Sequence, residues 1–217
     1  MIGNGCLKPS EEKLNKMLNL NQPSTKKEVR SLIGLINYYR KFIPNFPLLA
    51  APLTDLTRRG SPDKIKWSDE CQNSLSQIQK CLSSDPILIL PDVSAKFFLR
   101  TDASSRAIGA VLLQQRDGLL RPVQFASRKL LDREAKYCIM ELECLAIVFG
   151  CSHFQRYLMG TQFVVQTDHK PLAFLKQNKS KNARIFRWFL YLQEFSFKLE
   201  SIPGSENYMA DIMSRLI

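Results

Sequence analysis

The stretch KFFLRTD at residues 96–102 decides the fold, because it reads as an apolar strand that ends in an acid. A second stretch, FVVQTD at residues 163–168, repeats the arrangement, and Asp168 follows a threonine as Asp102 does. If the two strands lie side by side and parallel, both carboxylates emerge at the same edge of the sheet, where open α/β sheets bind their ligands. The alternative is that each aspartate is an ordinary turn or capping residue.

The sequence around these stretches predicts a mixed sheet. Strands are predicted at 96–101, 107–115, 121–126, 163–167 and 195–202, and helices at 132–158 and 182–191, with shorter helices beginning at Pro171 and Asn207. Asp117-Gly118 is a hairpin turn signal. Three strands in hairpin order, followed by strands separated by helices, indicate an α/β domain with a mixed five-stranded sheet flanked by helices.

The residues before Pro91 predict a smaller, mainly helical region. Thr25 and Glu28 have the spacing of a capping box at the start of a helix. Apolar residues at helical spacing extend this helix over 29–42, and a second helix is predicted over 68–82. A short helical pattern also occurs around 14–18.

Composition narrows the class of protein. The chain has 217 residues, 45% of them hydrophobic, so a packed core is expected and general disorder is excluded. No apolar stretch approaches the roughly 20 residues that span a bilayer, and no signal peptide is evident, so we expect an intracellular protein, cytoplasmic or nuclear. Six cysteines without a C-x-x-C pair indicate reduced core thiols rather than a zinc module.

The charge balance indicates a polyanionic partner. The chain has 31 Lys and Arg against 20 Asp and Glu, a formal charge of +11. Nucleic acid is the first expectation, and a basic surface kept for solubility is the alternative.

Further acids lie on predicted helices. Glu143 lies in an apolar helix, with the small residues Ala146 and Gly150 on the same face, which would let the helix approach a sheet closely. Glu141 is equally costly to bury, and helical spacing does not choose between the two. Asp211 follows the predicted cap Asn207 by four residues, and its alternative role is a solvated helix charge.

Acids gathered in one pocket repel each other unless cations neutralise them. Carboxylate oxygens are hard ligands, which favour Mg²⁺ or Mn²⁺ over zinc. A carboxylate site that holds two such ions is typical of enzymes that cleave phosphodiesters.

A basic stretch precedes and enters the predicted helix at 182–191. Its six basic residues are Lys170, Lys176, Lys179, Lys181, Arg184 and Arg187. They could track a phosphate backbone, with nearby aromatic residues. The alternative is a solvated face, and we expect Phe186 and Trp188 to lie mostly in the core.

Several blocks of sequence, in this order, resemble gypsy-type LTR retrotransposon reverse transcriptases, in the part that runs from the thumb into the ribonuclease H domain. The blocks are SLIGLINYYRKFIP at 31–44, APLTDL at 51–56, TDAS at 101–104, ECLAIV at 143–148, TDHKPL at 167–172, PGSEN at 203–207 and ADIMSR at 210–215. The resemblance covers nearly the whole chain. It implies a thumb-like or connection region over 1–66, a linking helix and loop over 67–90, and a ribonuclease H-like domain over 91–217.

The resemblance also implies a set of roles. Asp102, Glu143, Asp168 and Asp211 would hold two Mg²⁺ or Mn²⁺ ions, with Asp102 between them, and the block at 143–148 favours Glu143 over Glu141. The implied activity is hydrolysis of the RNA strand of an RNA/DNA hybrid. The implied parent is a polyprotein with RNA-directed DNA polymerase activity.

Two departures from the family pattern matter. The loop at 204–207 lacks the histidine that many ribonucleases H carry there, and Glu206 is a possible substitute. No Asp-Asp pair occurs, so this chain lacks the polymerase palm motif, and we expect fingers and palm upstream of Met1 and an integrase elsewhere in the polyprotein. The alternative hypothesis is a catalytically inactive remnant that serves as a nucleic-acid-binding or structural module.

Overall fold

A computed structural model of the chain describes residues 2–3, 6–7, 22–43, 45–83, 88–168, 182–207 and 209–210. The strands are β1 (Ile2–Gly3), β2 (Cys6–Leu7), β3 (Leu88–Ile89), β4 (Phe97–Ala103), β5 (Ala107–Arg116), β6 (Leu119–Lys129), β7 (Gln162–Thr167) and β8 (Ser196–Ser201). The helices are α1 (Lys26–Tyr38), α2 (Phe46–Leu49), α3 (Ala51–Asp55), α4 (Asp69–Ser83), α5 (Ile139–His153), α6 (Gln155–Leu158) and α7 (Ala183–Leu192), and a 3₁₀ turn covers Arg40–Phe42.

The predicted mixed five-stranded sheet is confirmed. Its strand order is β6-β5-β4-β7-β8. The hairpin strands β4, β5 and β6 pair antiparallel, whereas β4 pairs parallel with β7, and β7 pairs parallel with β8. The sheet is therefore antiparallel on one side and parallel on the other, and β4 lies at its centre.

The β5–β6 hairpin turns at the predicted dipeptide. Asp117 and Gly118 both have positive φ, 53° and 77°, as a tight hairpin turn requires. The strand β6 extends beyond the predicted 121–126, because pairing with β5 continues to the turn at Leu119 and to Lys129 at the other end. Pro122 is tolerated because β6 is the edge strand of this sheet.

The predicted helix at 132–158 is wrong at its start. Residues 132–137 form turns and bends, and α5 begins only at Ile139. The Glu134 carboxylate accepts hydrogen bonds from the Leu131 backbone (2.9 Å) and from Arg128, which holds the chain in a turn. Glu141 then caps α5 by accepting from the Cys138 backbone at 3.1 Å. These polar contacts override the helical periodicity of the sequence.

The helical region begins as predicted. The Thr25 hydroxyl accepts from the Glu28 backbone, and the Glu28 carboxylate accepts from the Thr25 backbone, both at 3.3 Å. This capping box opens α1, and α4 covers the segment predicted as the second helix. The short elements β1 to β3, which form a small antiparallel sheet, and α2 and α3 were not predicted, since elements of two to five residues carry little periodicity. The pattern at 14–18 lies outside the described residues.

The two faces of the main sheet are covered by different helices. On one face, Leu32, Ile36 and Ile78 of α1 and α4 share a core with Val111 and Phe125 of the sheet. On the other face, α5 packs on β4 and β5, and its buried residues Cys144 and Ile147 join the apolar residues of these strands. In the described part of the chain, every helix is too short or too polar to cross a membrane.

Candidate metal centre

Asp102 and Asp168 lie at the same edge of the sheet, as predicted. The parallel register pairs Phe98 with Val164 and Arg100 with Gln166. Asp102 and Asp168 each follow two residues beyond that last pair, at the carboxyl ends of β4 and β7. Asp102 is 1% exposed, and Asp168 is half-buried.

Glu143 joins these two aspartates. It lies in the second turn of α5 and is 5% exposed. One carboxylate oxygen from each of Asp102, Glu143 and Asp168 lies within 4.8 Å of the other two. Three carboxylates from distant points of the sequence therefore form one cluster, with oxygen atoms spaced for a shared cation.

Glu141, the alternative that the sequence left open, has a different environment. Its carboxylate accepts hydrogen bonds from Asn182 (2.8 Å) and from the Arg184 guanidinium (2.6 Å). Burial raises the pKa of Glu141, but the hydrogen bonds and the Arg184 charge outweigh it and hold the pKa below the usual value. Glu141 therefore ties α5 to α7 and caps α5, whereas Glu143 faces the strand ends.

A loop after β8 lies against the same edge. The Ile202 backbone donates to the Thr167 carbonyl at 3.0 Å, and the Asn207 amide donates to the Thr101 carbonyl at 3.2 Å. Each aspartate is thus preceded by a threonine whose carbonyl holds this loop. A Cβ placed on Gly204 would lie 3.5 Å from an Asp168 carboxylate oxygen, so the loop passes beside the acid cluster.

The fourth predicted acid, Asp211, lies outside the described residues. The described chain reaches Ala210, which is fully buried, and Asn207 is buried against Thr101. In the loop that lacks a histidine, the side chain of Glu206 is exposed. The catalytic role of Asp211 therefore stays a prediction.

Sequence reasoning missed Arg100, a buried arginine directly beneath the cluster. It is 8% exposed and lies on β4, two residues before Asp102. Its Nε donates to the Gln166 side chain at 2.9 Å, and its Nη1 donates to the Glu206 backbone carbonyl at 2.6 Å. The available signal was a charged residue within an otherwise apolar strand.

The predicted basic stretch is described only in part. Lys170, Lys176, Lys179 and Lys181 lie outside the described residues, whereas Arg187 is exposed on α7. Arg184 pairs with Glu141 and lies over the Tyr137 ring at 3.9 Å from the ring centre, so it has a structural contact that the sequence did not indicate. The expectation that Phe186 lies in the core is wrong, since its side chain is 40% exposed. Trp188 is half-buried and packs against the core.

Where burial is described, the cysteines are mostly core thiols, as expected. Cys71, Cys144 and Cys151 are buried, Cys81 is half-buried and Cys138 is exposed, all as free thiols. Burial raises the pKa of Cys144 and of Cys151 to about 12. Both buried thiols on α5 therefore stay protonated and act as small apolar residues.

Part of the sequence matches a known family model. Residues 92–195 match the RNase H-like domain found in reverse transcriptase. The chain is 41% identical over 211 residues to the retrovirus-related Pol polyprotein from transposon 297 of Drosophila melanogaster. This alignment covers 97% of this chain and 19% of that polyprotein. It is 38% identical over 214 residues to the transposon Tf2-3 polyprotein of Schizosaccharomyces pombe, covering 96% of this chain and 16% of that protein. The chain thus spans less than a fifth of the length of these relatives.

Solved structures share the fold. A foamy viral protease-reverse transcriptase in complex with dsDNA matches 93% of this chain and 44% of its own, with a TM-score of 0.75 and 21% identity. The same kind of protein in complex with an RNA/DNA hybrid matches 89% of this chain and 27% of its own, with a TM-score of 0.72 and 22% identity. The helical region and the sheet therefore occur together in proteins of this architecture.

Proposed function

Because residues 92–195 form an RNase H-like domain of the reverse transcriptase family, in a chain that corresponds to a segment of retrotransposon Pol polyproteins, we propose that this chain hydrolyses the RNA strand of RNA/DNA hybrids with divalent metal ions. The observation that carries the proposal is the convergence of Asp102, Glu143 and Asp168, whose oxygen atoms lie within 4.8 Å of one another.

The donor set fits the metal that this chemistry needs. Three carboxylates, two of them buried, supply hard oxygen ligands and negative charge, which suit Mg²⁺ or Mn²⁺. Asp102, Glu143 and Asp168 would hold the ions, and Asp211 is proposed as a fourth ligand. Two such ions, when bound, favour ionisation of the attacking water and stabilise the charge on the leaving oxygen.

The protein's own residues supply rigidity and orientation. Asp102 and Asp168 are fixed at the ends of paired central strands, and Glu143 is fixed on a helix that packs on the same sheet. A site built on such elements keeps its geometry better than a site built on loops. In the proposed reaction the water oxygen bonds to phosphorus and gives up a proton to solvent, while the bond between phosphorus and the 3′ oxygen breaks and the 3′ oxygen takes up a proton from solvent. The products carry 5′-phosphate and 3′-hydroxyl ends.

Basic residues would hold the substrate. Arg187 is exposed on α7, and we propose that it contacts the phosphate backbone together with Lys170, Lys176, Lys179 and Lys181. Arg184 belongs to the same proposed surface, although its guanidinium also pairs with Glu141. An RNA/DNA hybrid would be recognised by backbone shape and the 2′-hydroxyl rather than by base sequence.

We further propose that the chain acts as part of a longer polyprotein, with fingers, palm and integrase supplied by other segments. The support is that the curated relatives are Pol or transposon polyproteins, of which this chain matches less than a fifth. The solved foamy viral relatives bind dsDNA and an RNA/DNA hybrid, which suits a nucleic acid partner here.

The decisive experiment compares hybrid cleavage by the wild type and by Asp102→Asn, with Mg²⁺ and with Mn²⁺. Asp102→Asn removes a charge from the cluster while keeping the shape of the side chain, so we expect at least about a 100-fold loss of rate. Asp132→Asn is the matched control, because Asp132 is exposed on a turn of the same domain. It should cut at the wild-type rate.

Binding of an uncut hybrid, measured in EDTA, completes the test. We expect equal binding by all three proteins, which would separate affinity from chemistry. Cleavage that does not depend on the metal or on Asp102 would overturn the proposal. A wild type that binds hybrid and never cuts it would support the inactive nucleic-acid-binding module instead.

A further inference from the structure

An arginine within a central strand is costly unless its donors are satisfied, because burial removes the guanidinium from water. Arg100 is such a residue, and among the described residues it has two acceptors on different segments. The side chain of Gln166, on β7, accepts a hydrogen bond from Arg100 Nε. The backbone carbonyl of Glu206, in the loop, accepts a hydrogen bond from Arg100 Nη1. One planar side chain thus connects three segments of the edge that carries the acid cluster.

Each of the two partners of Arg100 has a defined relation to an acid. Gln166 lies two residues before Asp168, just as Arg100 lies two residues before Asp102. Glu206 lies in the loop whose Gly204 passes beside the Asp168 carboxylate. The contacts of Arg100 therefore hold β4, β7 and this loop together, two residues before the carboxylates on each strand.

The network continues across the sheet. The Gln166 amide donates to the Glu200 carboxylate on β8 at 3.4 Å, and Lys198 donates to the same carboxylate at 3.1 Å. Gln166 is therefore oriented from both sides, with its oxygen toward Arg100 and its amide nitrogen toward Glu200. Because Glu200 holds the Gln166 amide, the Gln166 oxygen that accepts from Arg100 Nε is also held in place.

We propose that Arg100 is a positioning residue for the metal centre: it holds the 202–207 loop against the strand ends that carry Asp102 and Asp168, without touching the substrate. This inference rests on the proposed function. Lysine cannot replace the arginine fully, because a single ammonium at the end of a flexible stem lacks the planar fork that reaches two separated acceptors.

The test uses the whole chain and three variants. Arg100→Met removes the hydrogen bonds to Gln166 and Glu206, and Arg100→Lys keeps the charge and can keep one of these two contacts. Arg121→Met is the control, because Arg121 is exposed on the far edge strand of the sheet. We expect Arg100→Met to lower kcat for hybrid cleavage by about 10- to 100-fold with an unchanged KM, since a small displacement of reacting groups costs this much. Arg100→Lys should lie between, and Arg121→Met should match the wild type.

Amide hydrogen exchange provides a readout that does not need activity. The Glu206, Asn207 and Ala210 amides donate to carbonyls within the loop region. In Arg100→Met these amides should exchange faster, while the amides of α4 keep their wild-type rates. Arg121→Met should change neither set.

Two results would overturn the proposal: unchanged exchange at the loop, or a rise in KM without a fall in kcat. If Arg100→Met fails to fold, Arg100→Lys decides the question by the same two measurements. A wild type that cuts no hybrid would overturn the proposed function, and the exchange rates would then still decide whether Arg100 holds the loop.

Discussion

Gly150 of α5 lies directly over Leu99 of β4: a Cβ atom placed on Gly150 would lie only 3.1 Å from Leu99 Cδ1. The same atom would lie 3.2 Å from the Cβ of Ala110 on β5. The missing side chain lets the helix backbone approach the sheet closely. Glu143 lies seven residues earlier on this helix, so the separation set at Gly150 also helps to set the depth at which Glu143 meets Asp102.

Enlarging Gly150 should therefore damage both stability and the acid cluster. For Gly150→Val we expect a loss of about 2 kcal/mol in the free energy of unfolding, because Leu99 is fully buried and has little room to move. Gly34→Ala is the matched control, since Gly34 lies in α1 with nothing within 4 Å of the added atom. It should stabilise the protein by about 0.5–1 kcal/mol through helix propensity. Urea unfolding measures the free energy of unfolding of both variants. A Gly150→Val variant that is more stable than the wild type would contradict the close approach of α5 to the sheet.

Glu143→Gln and Glu141→Gln should have opposite effects. Without divalent ions, Glu143→Gln removes repulsion within the acid cluster and should raise the free energy of unfolding by about 1 kcal/mol. Mg²⁺ should raise the melting temperature of the wild type and leave that of Glu143→Gln nearly unchanged. Glu141→Gln should cost about 2 kcal/mol, because it weakens hydrogen bonds to Arg184 and Asn182, and should keep the response to Mg²⁺. Thermal melts in EDTA and in Mg²⁺ test the pair, and the reverse pattern would exchange the roles of the two glutamates.

Glu134 should make stability depend on pH in the acid range. Burial raises its pKa, but two hydrogen bonds from Arg128, one from the Leu131 backbone and the nearby arginine charges lower the pKa below the ordinary 4.5. A lowered carboxyl pKa contributes stability that is complete above the ordinary value and is lost as the pH falls through the folded-state value. Glu134→Gln should therefore cost about 2 kcal/mol at pH 7 and progressively less below pH 4.5. Urea titrations between pH 3 and pH 7 measure the difference, and a constant difference would show that the charge of Glu134 contributes nothing.

Substitutions of Arg187 and Arg184 should differ in their effect on the stability of the fold. The exposed Arg187 is predicted to meet phosphate, so Arg187→Ala should weaken hybrid binding and reduce the salt dependence of log K by about one unit. Arg184→Ala should in addition lower the melting temperature, because it leaves the buried Glu141 without the Arg184 ion pair, and thermal melts measure this effect. Binding at several salt concentrations, with Ca²⁺ in place of Mg²⁺, measures the slopes. An unchanged slope in Arg187→Ala would remove this residue from the binding surface.

Much of the fold could be predicted from short-range patterns. The strands ending at Asp102 and Asp168, the capping box at Thr25 and the hairpin turn at Asp117 all depend on neighbouring residues, and the structure confirms each of them. The close approach at Gly150 was also evident from small residues at helical spacing. The start of α5 was mispredicted because Glu134 turns back to Arg128, a contact that periodicity does not report.

The sequence by itself determined most of the longer strands and helices, and that two of the acids each end an apolar strand, because these properties follow from local spacing. Only the tertiary structure decided that the strands ending at Asp102 and Asp168 lie side by side and parallel, that Arg184 pairs with Glu141, and that Arg100 reaches the loop at Glu206. Those outcomes depend on how the strands and α5 pack together and on partners 41 to 106 residues apart along the chain. Burial makes such long-range contacts necessary, since a buried charge must find its partner wherever the packed chain provides one.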